Sequence, residues 1–594
     1  MPKDFYDVIV IGGGHAGSEA AAAAARVGAR TALVTGNLDT IGKMSCNPSV
    51  GGVAKGQLAR EVDALGGLMG RATDATGIQF RLLNRSKGPA LWSPRAQCDK
   101  ADYSLWIREE LERTPNLFLV QGEAWELVTA DGAISGLRLR DGRLLTAPRV
   151  VVTTGTFLQG LMHQGETKTT GGRMGDAAAA GLSASLLAVG LRLTRHKTGT
   201  PCRVHADSIH WEQCELQPGD EPAPCFSFLT TAITTPQIPC HSTWTTPAAH
   251  AVILANLDRA PMYNGQISSI GPRYCPSIED KVKRFADRNQ HHIFLEPEGR
   301  RTREVYVNGL STSLPLDIQA QVLAAIPALA DAHVLRWGYA VEYDVVAPEQ
   351  IDHTFAAVAV PGLYLAGQIN GTSGYEEAAG QGLLAGANAA LTLAGRDPLV
   401  LSRADAYLGV LADDLVTRCP EEPYRMFTSR AEHRLHLRAD NADRRLAALG
   451  QRAGLIDAAR ADAVATKAAA IAAIVANVPP TVARHIAGEA MDLAATTAQV
   501  PALATASAVV AEQAWIELRY HGYLERQQTV IAKLTRLREL PLPAELDYAA
   551  LTCLSFEGRL RLGRHRPRTL GEARSLPGVS EADVETLLAI LDRG

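Results

Sequence analysis

The sequence predicts an α/β protein built on a Rossmann-type parallel sheet, with an inserted α+β subdomain and an all-α C-terminal domain. Three short apolar runs lead directly into glycine-containing turns: DVIVI at 7–11, RVVVTT at 149–154 and GLYLA at 362–366. Continuous apolar runs of this length are typical of parallel strands that are buried on both faces. Because the runs lie far apart along the chain, we expect one sheet assembled from distant segments, with other structure inserted between them.

The first junction carries a dinucleotide-binding motif. Gly12-x-Gly14-x-x-Gly17 stands between the first strand and an Ala-rich helix, and a second strand follows at about 30–34. In this motif the first glycine permits a tight turn, the second lets a pyrophosphate approach the backbone, and the third lets helix and strand pack closely. The motif usually includes an acidic residue about 20 residues later, which binds a ribose hydroxyl. Here the nearest acidic residue, Asp39, comes later than that. The predicted cofactor contacts here are Gly12, Gly13, Gly14, His15, Ala16 and Gly17.

The other two junctions favour FAD over NAD, and so predict a glutathione-reductase-like FAD-binding domain. A flavin dinucleotide extends along the sheet and needs a second helix N-terminus near its ring end, whereas an NAD domain needs no third glycine junction. The turn at Gly367-Gln368, followed by a Gly/Ala-rich helix at about 376–392, provides that N-terminus. The Gln368 amide can hydrogen-bond a ribityl hydroxyl. Ala124 and Ala179 are further predicted cofactor contacts.

Composition divides the chain into four segments. Residues 1–198 and 276–398 are predicted to form the two parts of the FAD-binding domain. The stretch 199–275 is rich in Pro, Thr and His without a helical period, so we expect an inserted, partly β subdomain. Ala, Leu and Arg dominate residues 399–594, which predicts a helical C-terminal domain, and the Ala-rich stretch at about 458–475 favours helix over disorder.

Charge and cysteine content exclude several classes of protein. The formal net charge is −4, so the chain as a whole is not an electrostatic nucleic-acid binder, and any basic surface must be local. None of the nine cysteines forms a CxxC pair, which argues against a zinc ribbon or a redox dithiol, and we expect no metal. The odd cysteine count and the lack of a signal-peptide pattern before the first strand predict a cytoplasmic protein with reduced thiols. No uninterrupted run of about 18 apolar residues occurs, so no membrane span is expected.

A series of long sequence strings carries a family resemblance. In chain order they are MSCNPSVGG at 44–52, SKGPA at 86–90, RAQ at 95–97, GPRYCPSIEDK at 271–281, FLEPEG at 294–299, AGQINGTSGYEEAAGQG at 366–382 and EPYRMFTSRAEHRL at 422–435. Together they resemble the GidA family, also called MnmG, from about residue 5 to 445 and more weakly to the end.

The resemblance implies the FAD subunit of a system that modifies the wobble uridine of tRNA. Such a subunit forms a homodimer and joins a GTPase partner of the MnmE type in a heterotetramer, and the helical C-terminal domain is expected to bind tRNA and this partner. The enzyme adds an aminomethyl or carboxymethylaminomethyl group to carbon 5 of uridine, with methylenetetrahydrofolate as the one-carbon donor and NADH as a reductant of the flavin. The residues that match the family's NAD region are Gly271, Pro272, Arg273, Tyr274, Pro276, Ser277, Ile278, Glu279, Asp280, Lys281, Val282, Lys283, Arg284 and Phe285.

Two cysteines, Cys46 and Cys275, are the candidate catalytic residues. A thiolate that adds to carbon 6 of uracil turns the ring into an enolate and activates carbon 5. Cys275 precedes Pro276, which we expect to open a helix, and a helix N-terminus favours a thiolate. Cys46 lies in a loop bounded by Gly and Pro. How the two divide the chemistry is open, and for the other seven cysteines a packing role is expected.

Basic residues suggest where RNA and other anions bind. Arg430, Arg434 and Arg438 are spaced to share one helix face, within a cluster that also includes Arg425, Arg444 and Arg445. Six Arg and one Glu occur between Arg559 and Arg574. The two clusters together predict binding to an RNA backbone. Candidate contacts for smaller anions or single phosphates are Lys87, Arg95, Lys281 and the turn Gly171-Gly172-Arg173.

Two other functions are consistent with parts of the sequence. A flavin- and folate-dependent uracil-5-methyltransferase acting on the T loop of tRNA would share the front half, but that class is shorter and lacks a helical tail of nearly 200 residues. An FAD-bound RNA-binding or scaffold protein would share the nucleotide fold without the chemistry. Nucleoside analysis separates the first alternative, and turnover of the flavin with folate and tRNA separates the second.

Overall fold

The structure is a computed structural model that describes residues 4–269, Gly271, 276–576 and 578–591. Four residues that the sequence proposes for the site, Pro272, Arg273, Tyr274 and Cys275, lie outside the described residues.

The strands up to residue 152 are β1 (Val8–Ile11), β2 (Thr31–Thr35), β3 (Ser49–Gly51), β4 (Gly77–Leu83), β5 (Ser93–Cys98), β6 (Leu117–Gln121), β7 (Ala124–Ala130), β8 (Ala133–Leu139), β9 (Leu144–Thr146) and β10 (Arg149–Val152). The later strands are β11 (Leu161–Gln164), β12 (Thr167–Thr170), β13 (Leu193–Thr200), β14 (Arg203–His205), β15 (Glu215–Gln217), β16 (Cys240–Trp244), β17 (His292–Pro297), β18 (Glu304–Asn308), β19 (Val334–Arg336), β20 (Tyr339–Val346) and β21 (Leu363–Leu365).

The helices up to residue 393 are α1 (His15–Val27), α2 (Lys55–Ala64), α3 (Met69–Thr76), α4 (Lys100–Arg113), α5 (Gly181–Ala188), α6 (Pro247–Ala255), α7 (Ile278–Arg284), α8 (Leu316–Ala324) and α9 (Tyr375–Leu393). Those that follow are α10 (Tyr407–Asp413), α11 (Ala442–Ala453), α12 (Ala458–Ala476), α13 (Pro480–Gly488), α14 (Leu493–Gln499), α15 (Ala502–Thr505), α16 (Ala508–Glu539), α17 (Phe556–His565), α18 (Leu570–Ser575) and α19 (Glu581–Leu591).

A five-stranded parallel sheet, in the order β21-β10-β1-β2-β6, forms the centre of the molecule. The three apolar runs of the sequence become β1, β10 and β21, which lie side by side, so their three glycine turns meet at the carboxyl edge of the sheet. Residues of β1 are buried on both faces, as their continuous apolar pattern predicts. The predicted fold class, a Rossmann-type sheet with an inserted α+β part and a helical C-terminal part, is confirmed.

Helices α1 and α9 approach each other closely at two glycines of α9. A Cβ atom at Gly382 would lie 2.0 Å from the carbonyl oxygen of Ala16, and one at Gly386 would lie 2.1 Å from that of Ala20. Only glycine permits this approach, which explains why the sequence uses small residues along both helices. The close packing brings the N-termini of both helices to the same side of the sheet.

Glu19 links α1 to the start of α3. Its carboxylate accepts hydrogen bonds from the backbone N–H groups of Leu68 (2.8 and 2.9 Å) and Met69 (2.8 Å), in a buried position. Burial raises the pKa of Glu19 to about 7, although these N–H groups act in the opposite direction.

This shift makes stability depend on pH. The unfolded chain releases the Glu19 proton near the ordinary pKa of a carboxyl group, whereas the folded chain keeps it up to about pH 7. The contribution of Glu19 to the free energy of unfolding is therefore fully present below its pKa in the unfolded chain. It is lost as pH rises through its pKa in the folded chain. We expect Glu19→Gln to remove roughly 3 kcal/mol of this decline. Melting temperatures at about pH 5 and about pH 8 measure it, with the exposed Glu109→Gln as control; equal declines in both variants would contradict the assignment.

The remaining sheets are antiparallel and include a large one inserted into the FAD-binding fold. It has six strands in the order β15-β16-β17-β18-β14-β19, and helices α6 and α8 pack on one face around Val204, Ile253 and Ile293. Its strands come from both sides of the boundary expected at residue 275, so that boundary is wrong. The reason is that β14 pairs with β18, which lies about a hundred residues later, and sequence composition carries no signal for such pairing.

The C-terminal part is helical from α10 onward and contains two separate hydrophobic cores. One, between α12 and α16, includes Ile471, Ile486 and Leu518, and the other, after α16, includes Leu562 and Leu587. Among the described helices, none is by itself long and apolar enough to span a bilayer, while α12 and α13 pass that test only as a pair bent by 96°.

The expected arginine face on a helix at 430–438 is wrong. This stretch forms turns rather than a helix, and Arg438 is buried in an ion pair with Asp440 (2.8 Å). Arg444 and Arg445 are also used internally, with Glu517 (2.6 Å) and Glu61 (2.9 Å). These three guanidinium groups hold parts of the chain together and do not form one exposed face, whereas Arg434 is exposed.

Candidate active site

A cavity of about 920 Å³ opens at the carboxyl edge of the parallel sheet. This volume is at the upper end for ligand pockets and suits an extended dinucleotide. Its lining includes most of the residues predicted to contact FAD, namely Gly12, Gly13, Gly14, His15, Ala16, Ala124, Ala179 and Gln368, and also Cys46, Pro276 and Lys281. Gly17 lies behind the lining, where a Cβ would stand 1.7 Å from the oxygen of Gly12, so its role is helix–strand packing as the motif predicts.

The turn before α1 fits the pyrophosphate of FAD. Gly14 is the N-cap of α1 and offers no side chain to the first N–H groups of the helix. A Cβ at Gly14 would meet no protein atom within 4 Å, because it would point into the cavity. Nε2 of His15 is buried without a hydrogen-bond partner among the described residues, and burial lowers the pKa of this ring to about 4. Free amides, open space and a neutral imidazole together match a phosphate-bearing ligand.

A second helix N-terminus, that of α9, faces the other part of the cavity. Gln368 lies there, with its amide 3.4 Å from the hydroxyl of Tyr343. Lys55 is partly buried between Glu376 (2.9 Å) and Glu377 (3.6 Å). Burial alone would lower the pKa of Lys55, but the two carboxylates more than offset it and hold that pKa above its ordinary value. The site therefore keeps a fixed ammonium group beside the predicted ring end of the flavin.

Cys46 lies in the same cavity on a loop that is fixed through its backbone. Its N–H donates to the hydroxyl of Tyr375 (2.7 Å), at the start of α9. Its carbonyl accepts from the buried guanidinium of Arg203 (2.7 Å). These bonds hold the half-buried thiol at the cavity wall without constraining the sulfur itself.

The other described cysteines do not line the cavity. Burial raises the pKa of the Cys202 and Cys240 thiols to about 12 and that of the Cys225 and Cys419 thiols to about 11, so all four stay protonated near neutral pH. This agrees with the packing role expected for them. Cys275 lies outside the described residues, and its role stays a prediction.

The segment expected to bind NAD is only partly placed to do so. Pro276 and Lys281 line the cavity, but Ile278, Glu279 and Val282 are buried in the core of the inserted part. Helix α7 begins after Ser277, its N-cap, and not at Pro276 as expected. Because residues three or four apart share one face of a helix, α7 turns only some of its residues toward the cavity, and the assignment of 271–285 to NAD stays a prediction. The other described members that do not line the cavity are Gly271, Ser277, Asp280, Lys283, Arg284 and Phe285.

Several basic side chains face the cavity near Cys46. Arg173 donates to the hydroxyl of Ser45 (2.8 Å) and pairs with Asp176 (2.7 Å). Arg95, also in the lining, pairs with Glu296 (2.6 Å). Lys87 is exposed outside the lining, and so is Asp39, which pairs with Arg108 (2.6 Å).

Sequence reasoning missed the side chains that surround the thiol. Tyr375, Arg203 and Tyr306 contribute to the Cys46 site from positions that are 157 or more residues away along the chain. Tyr375 lies within a string that carries the family resemblance, which was the one available signal for it.

Comparison with known proteins agrees with this geometry. Residues 7–397 match the family described as Glucose inhibited division protein A, and residues 530–594 match the tRNA modifying enzyme MnmG/GidA C-terminal helical bundle. A protein of Rhodopirellula baltica named tRNA uridine 5-carboxymethylaminomethyl modification enzyme MnmG is 52% identical over 99% of this chain and 93% of its own length. One of the same name from Salinibacter ruber is 45% identical over 100% of this chain and 94% of its own.

A solved structure shares the whole architecture. That of Aquifex aeolicus GidA superposes with a TM-score of 0.91 at 41% identity, and the match covers 100% of this chain and 99% of that one. With the dinucleotide turn, the thiol loop and the helical C-terminal part in the same arrangement on one chain, this protein belongs to the MnmG (GidA) family.

Proposed function

We propose that this chain binds FAD and modifies carbon 5 of the wobble uridine in tRNA, adding an aminomethyl or carboxymethylaminomethyl group. The observation that carries the proposal is the thiol of Cys46 in the wall of a cavity that fits FAD. The names of the relatives, uridine 5-carboxymethylaminomethyl modification enzymes, support the substrate.

The chemistry follows from the thiol. The sulfur of Cys46 adds to carbon 6 of uracil, the double bond between carbons 5 and 6 opens, and the electron pair moves onto the carbonyl oxygen at carbon 4. Carbon 5 then bonds to the methylene carbon of the folate donor as one bond from that carbon to a folate nitrogen breaks. Carbon 5 loses its proton and the sulfur–carbon bond breaks, which restores the ring. Ammonium or glycine then replaces the remaining folate nitrogen on the methylene carbon and releases tetrahydrofolate. FAD, when bound, supplies the redox chemistry that installing the one-carbon unit requires.

The basic lining supports an anionic co-substrate, which we propose to be methylenetetrahydrofolate, with NADH as the reductant. Burial lowers the pKa of Lys43, and the nearby Arg173 lowers it further, so two cations face one cavity. A carboxylate or phosphate between them would relieve this repulsion. Lys281 adds a third basic group to the lining.

Nucleoside analysis tests the proposed function. A bacterial strain that lacks its own enzyme of this family is complemented with this chain, and its tRNA is digested and analysed by mass spectrometry. The expected result is the return of 5-carboxymethylaminomethyl- or aminomethyluridine. A gain of 5-methyluridine instead would point to the methyltransferase, and no change in any uridine would refute an enzymatic role on tRNA.

We further propose that residues 541–594 contact tRNA and a GTPase partner, in an assembly built on a homodimer. Arg564, Arg566 and Arg568 are exposed there, as are Phe556 (79%) and Leu560 (62%), one turn apart on α17. Exposed guanidinium groups suit phosphates, and an exposed apolar pair suits a protein surface.

Truncation after Leu540 is expected to leave FAD binding intact and to weaken tRNA binding. The removed part has its own hydrophobic core, so the rest should still fold. A matched variant with Arg564, Arg566 and Arg568 each replaced by Ala should reduce tRNA affinity about tenfold or more and lower the salt dependence of binding. Fluorescence anisotropy with labelled tRNA at several salt concentrations measures both. Flavin loss on truncation, or unchanged tRNA binding in both variants, would contradict the assignment.

A further inference from the structure

The sulfur of Cys46 lies beside a phenol from a distant strand. The hydroxyl of Tyr306, on β18, is 3.2 Å from Sγ of Cys46. Tyr306 is only 4% exposed, so packing fixes the direction of its hydroxyl. The sulfur, by contrast, belongs to a half-buried residue in the cavity wall.

Other groups around the sulfur suit both of its protonation states. The carbonyl oxygen of Gly199 and the hydroxyl of Thr200 each lie 3.9 Å from Sγ. A protonated thiol can donate to the Gly199 carbonyl, whereas a thiolate can accept from hydroxyl groups. The oxygen of Thr200 already accepts from Arg203 (2.7 Å), which leaves its own proton to donate.

Arg203 also strengthens the phenol as a donor. Its guanidinium carbon is 4.9 Å from the centre of the Tyr306 ring, and its side chain is buried. A cation against an aromatic face draws electron density from the ring, which makes the O–H bond more polar, and the effect is larger in a buried site. Glu298 pairs with Nε of Arg203 (3.2 Å) and holds the guanidinium in place.

We propose that Tyr306 donates a hydrogen bond to the sulfur of Cys46 and thereby stabilises its thiolate form. The proton stays on the phenol oxygen, and Tyr306 forms no bond to the substrate. The inference rests on the proposed function for its value in catalysis, but the interaction itself is tested without substrate.

The test is Tyr306→Phe in the FAD-loaded enzyme, because phenylalanine removes one oxygen and keeps the ring beside Arg203. The rate at which iodoacetamide alkylates Cys46 is followed by peptide-resolved mass spectrometry over a range of pH. The exposed Cys553 serves as a reference within the same sample. We expect alkylation of Cys46 to slow about tenfold near neutral pH, since a hydrogen bond to a charged group is lost, and to recover as pH rises. Alkylation of Cys553 should not change.

Tyr364→Phe is the matched control. Tyr364 is equally buried (4%), its hydroxyl lies 2.8 Å from that of Thr392 near the end of α9, and neither residue lines the cavity. This variant should alkylate at Cys46 like the wild type. If Tyr306→Phe loses flavin or melts early, Thr200→Val removes the second hydroxyl and should show a smaller slowing in the same direction.

Measurements of both alkylation and tRNA modification distinguish the proposed hydrogen bond from the proposed catalytic role of Cys46. Slower alkylation together with slower modification that recovers at higher pH supports both. Slower alkylation with unchanged modification supports the hydrogen bond and refutes a catalytic role for Cys46. Unchanged alkylation of Cys46 in the folded Tyr306→Phe enzyme overturns the inference, whatever the activity.

Discussion

Cys46→Ser is expected to bind FAD and fold like the wild type, yet to leave the wobble uridine unmodified. A serine hydroxyl stays protonated near neutral pH and cannot add readily to carbon 6 of uracil. The backbone bonds of residue 46 to Tyr375 and Arg203 do not involve the side chain and should persist. Loss of the nucleophile should cost at least about two orders of magnitude in rate. The measurement is nucleoside composition of tRNA after complementation, together with flavin absorbance and melting temperature.

Cys225→Ser provides the matched control, because this thiol is also half-buried but lies outside the cavity. It should restore the modification fully. Cys275→Ser is expected from the sequence to behave like Cys46→Ser. Were Cys46→Ser to restore normal levels of the modified uridine, the thiol would be a packing group and the proposed chemistry would fail.

Gly14→Val is expected to abolish tight FAD binding without damaging the apo-protein. The new side chain meets no protein atom within 4 Å of its Cβ, so its volume enters the space that the pyrophosphate needs. Loss of two charge-assisted hydrogen bonds, at roughly 1.5–3 kcal/mol each, weakens binding about a hundredfold or more. Titration of the apo-enzyme with FAD, followed by flavin fluorescence, gives the dissociation constant.

The comparison must be made on apo-proteins, because a bound cofactor raises the melting temperature by itself. The apo forms of Gly14→Val and wild type should melt together. Gly522→Val, an exposed position in α16 where a Cβ also meets nothing within 4 Å, should keep wild-type FAD affinity. Wild-type affinity in Gly14→Val would show that the phosphates do not bind at this turn.

The sequence by itself determined the elements whose signals are local. The dinucleotide turn was readable because strand, glycines and helix follow one another within twenty residues, from Val8 to Val27. The strands β10 and β21 were readable for the same reason, since each is an apolar run that ends in glycine. The composition of the last third predicted its helices, including the Ala-rich α12.

The predictions from sequence were wrong where the local structure depends on contacts with residues that are distant along the chain. The arginines near 430–438 have good helical spacing, but the chain turns there, and Arg445 of the same cluster pairs with Glu61, 384 residues away. The inserted part extends beyond residue 275 because β14 pairs with β18. In both cases, local pattern competed with tertiary contacts, and the tertiary contacts prevailed.

The surroundings of the thiol were decided by tertiary structure alone. The sequence marked Cys46 through a loop and a family resemblance, but Tyr306 and Tyr375 stand 260 and 329 residues away and reach it only after the sheets have paired. A hydrogen bond of this kind depends on atomic distances between separate strands and helices, which no spacing along one segment encodes. Sequence thus supplied the reactive group and the cofactor turn, and folding supplied the groups that hold the sulfur in place.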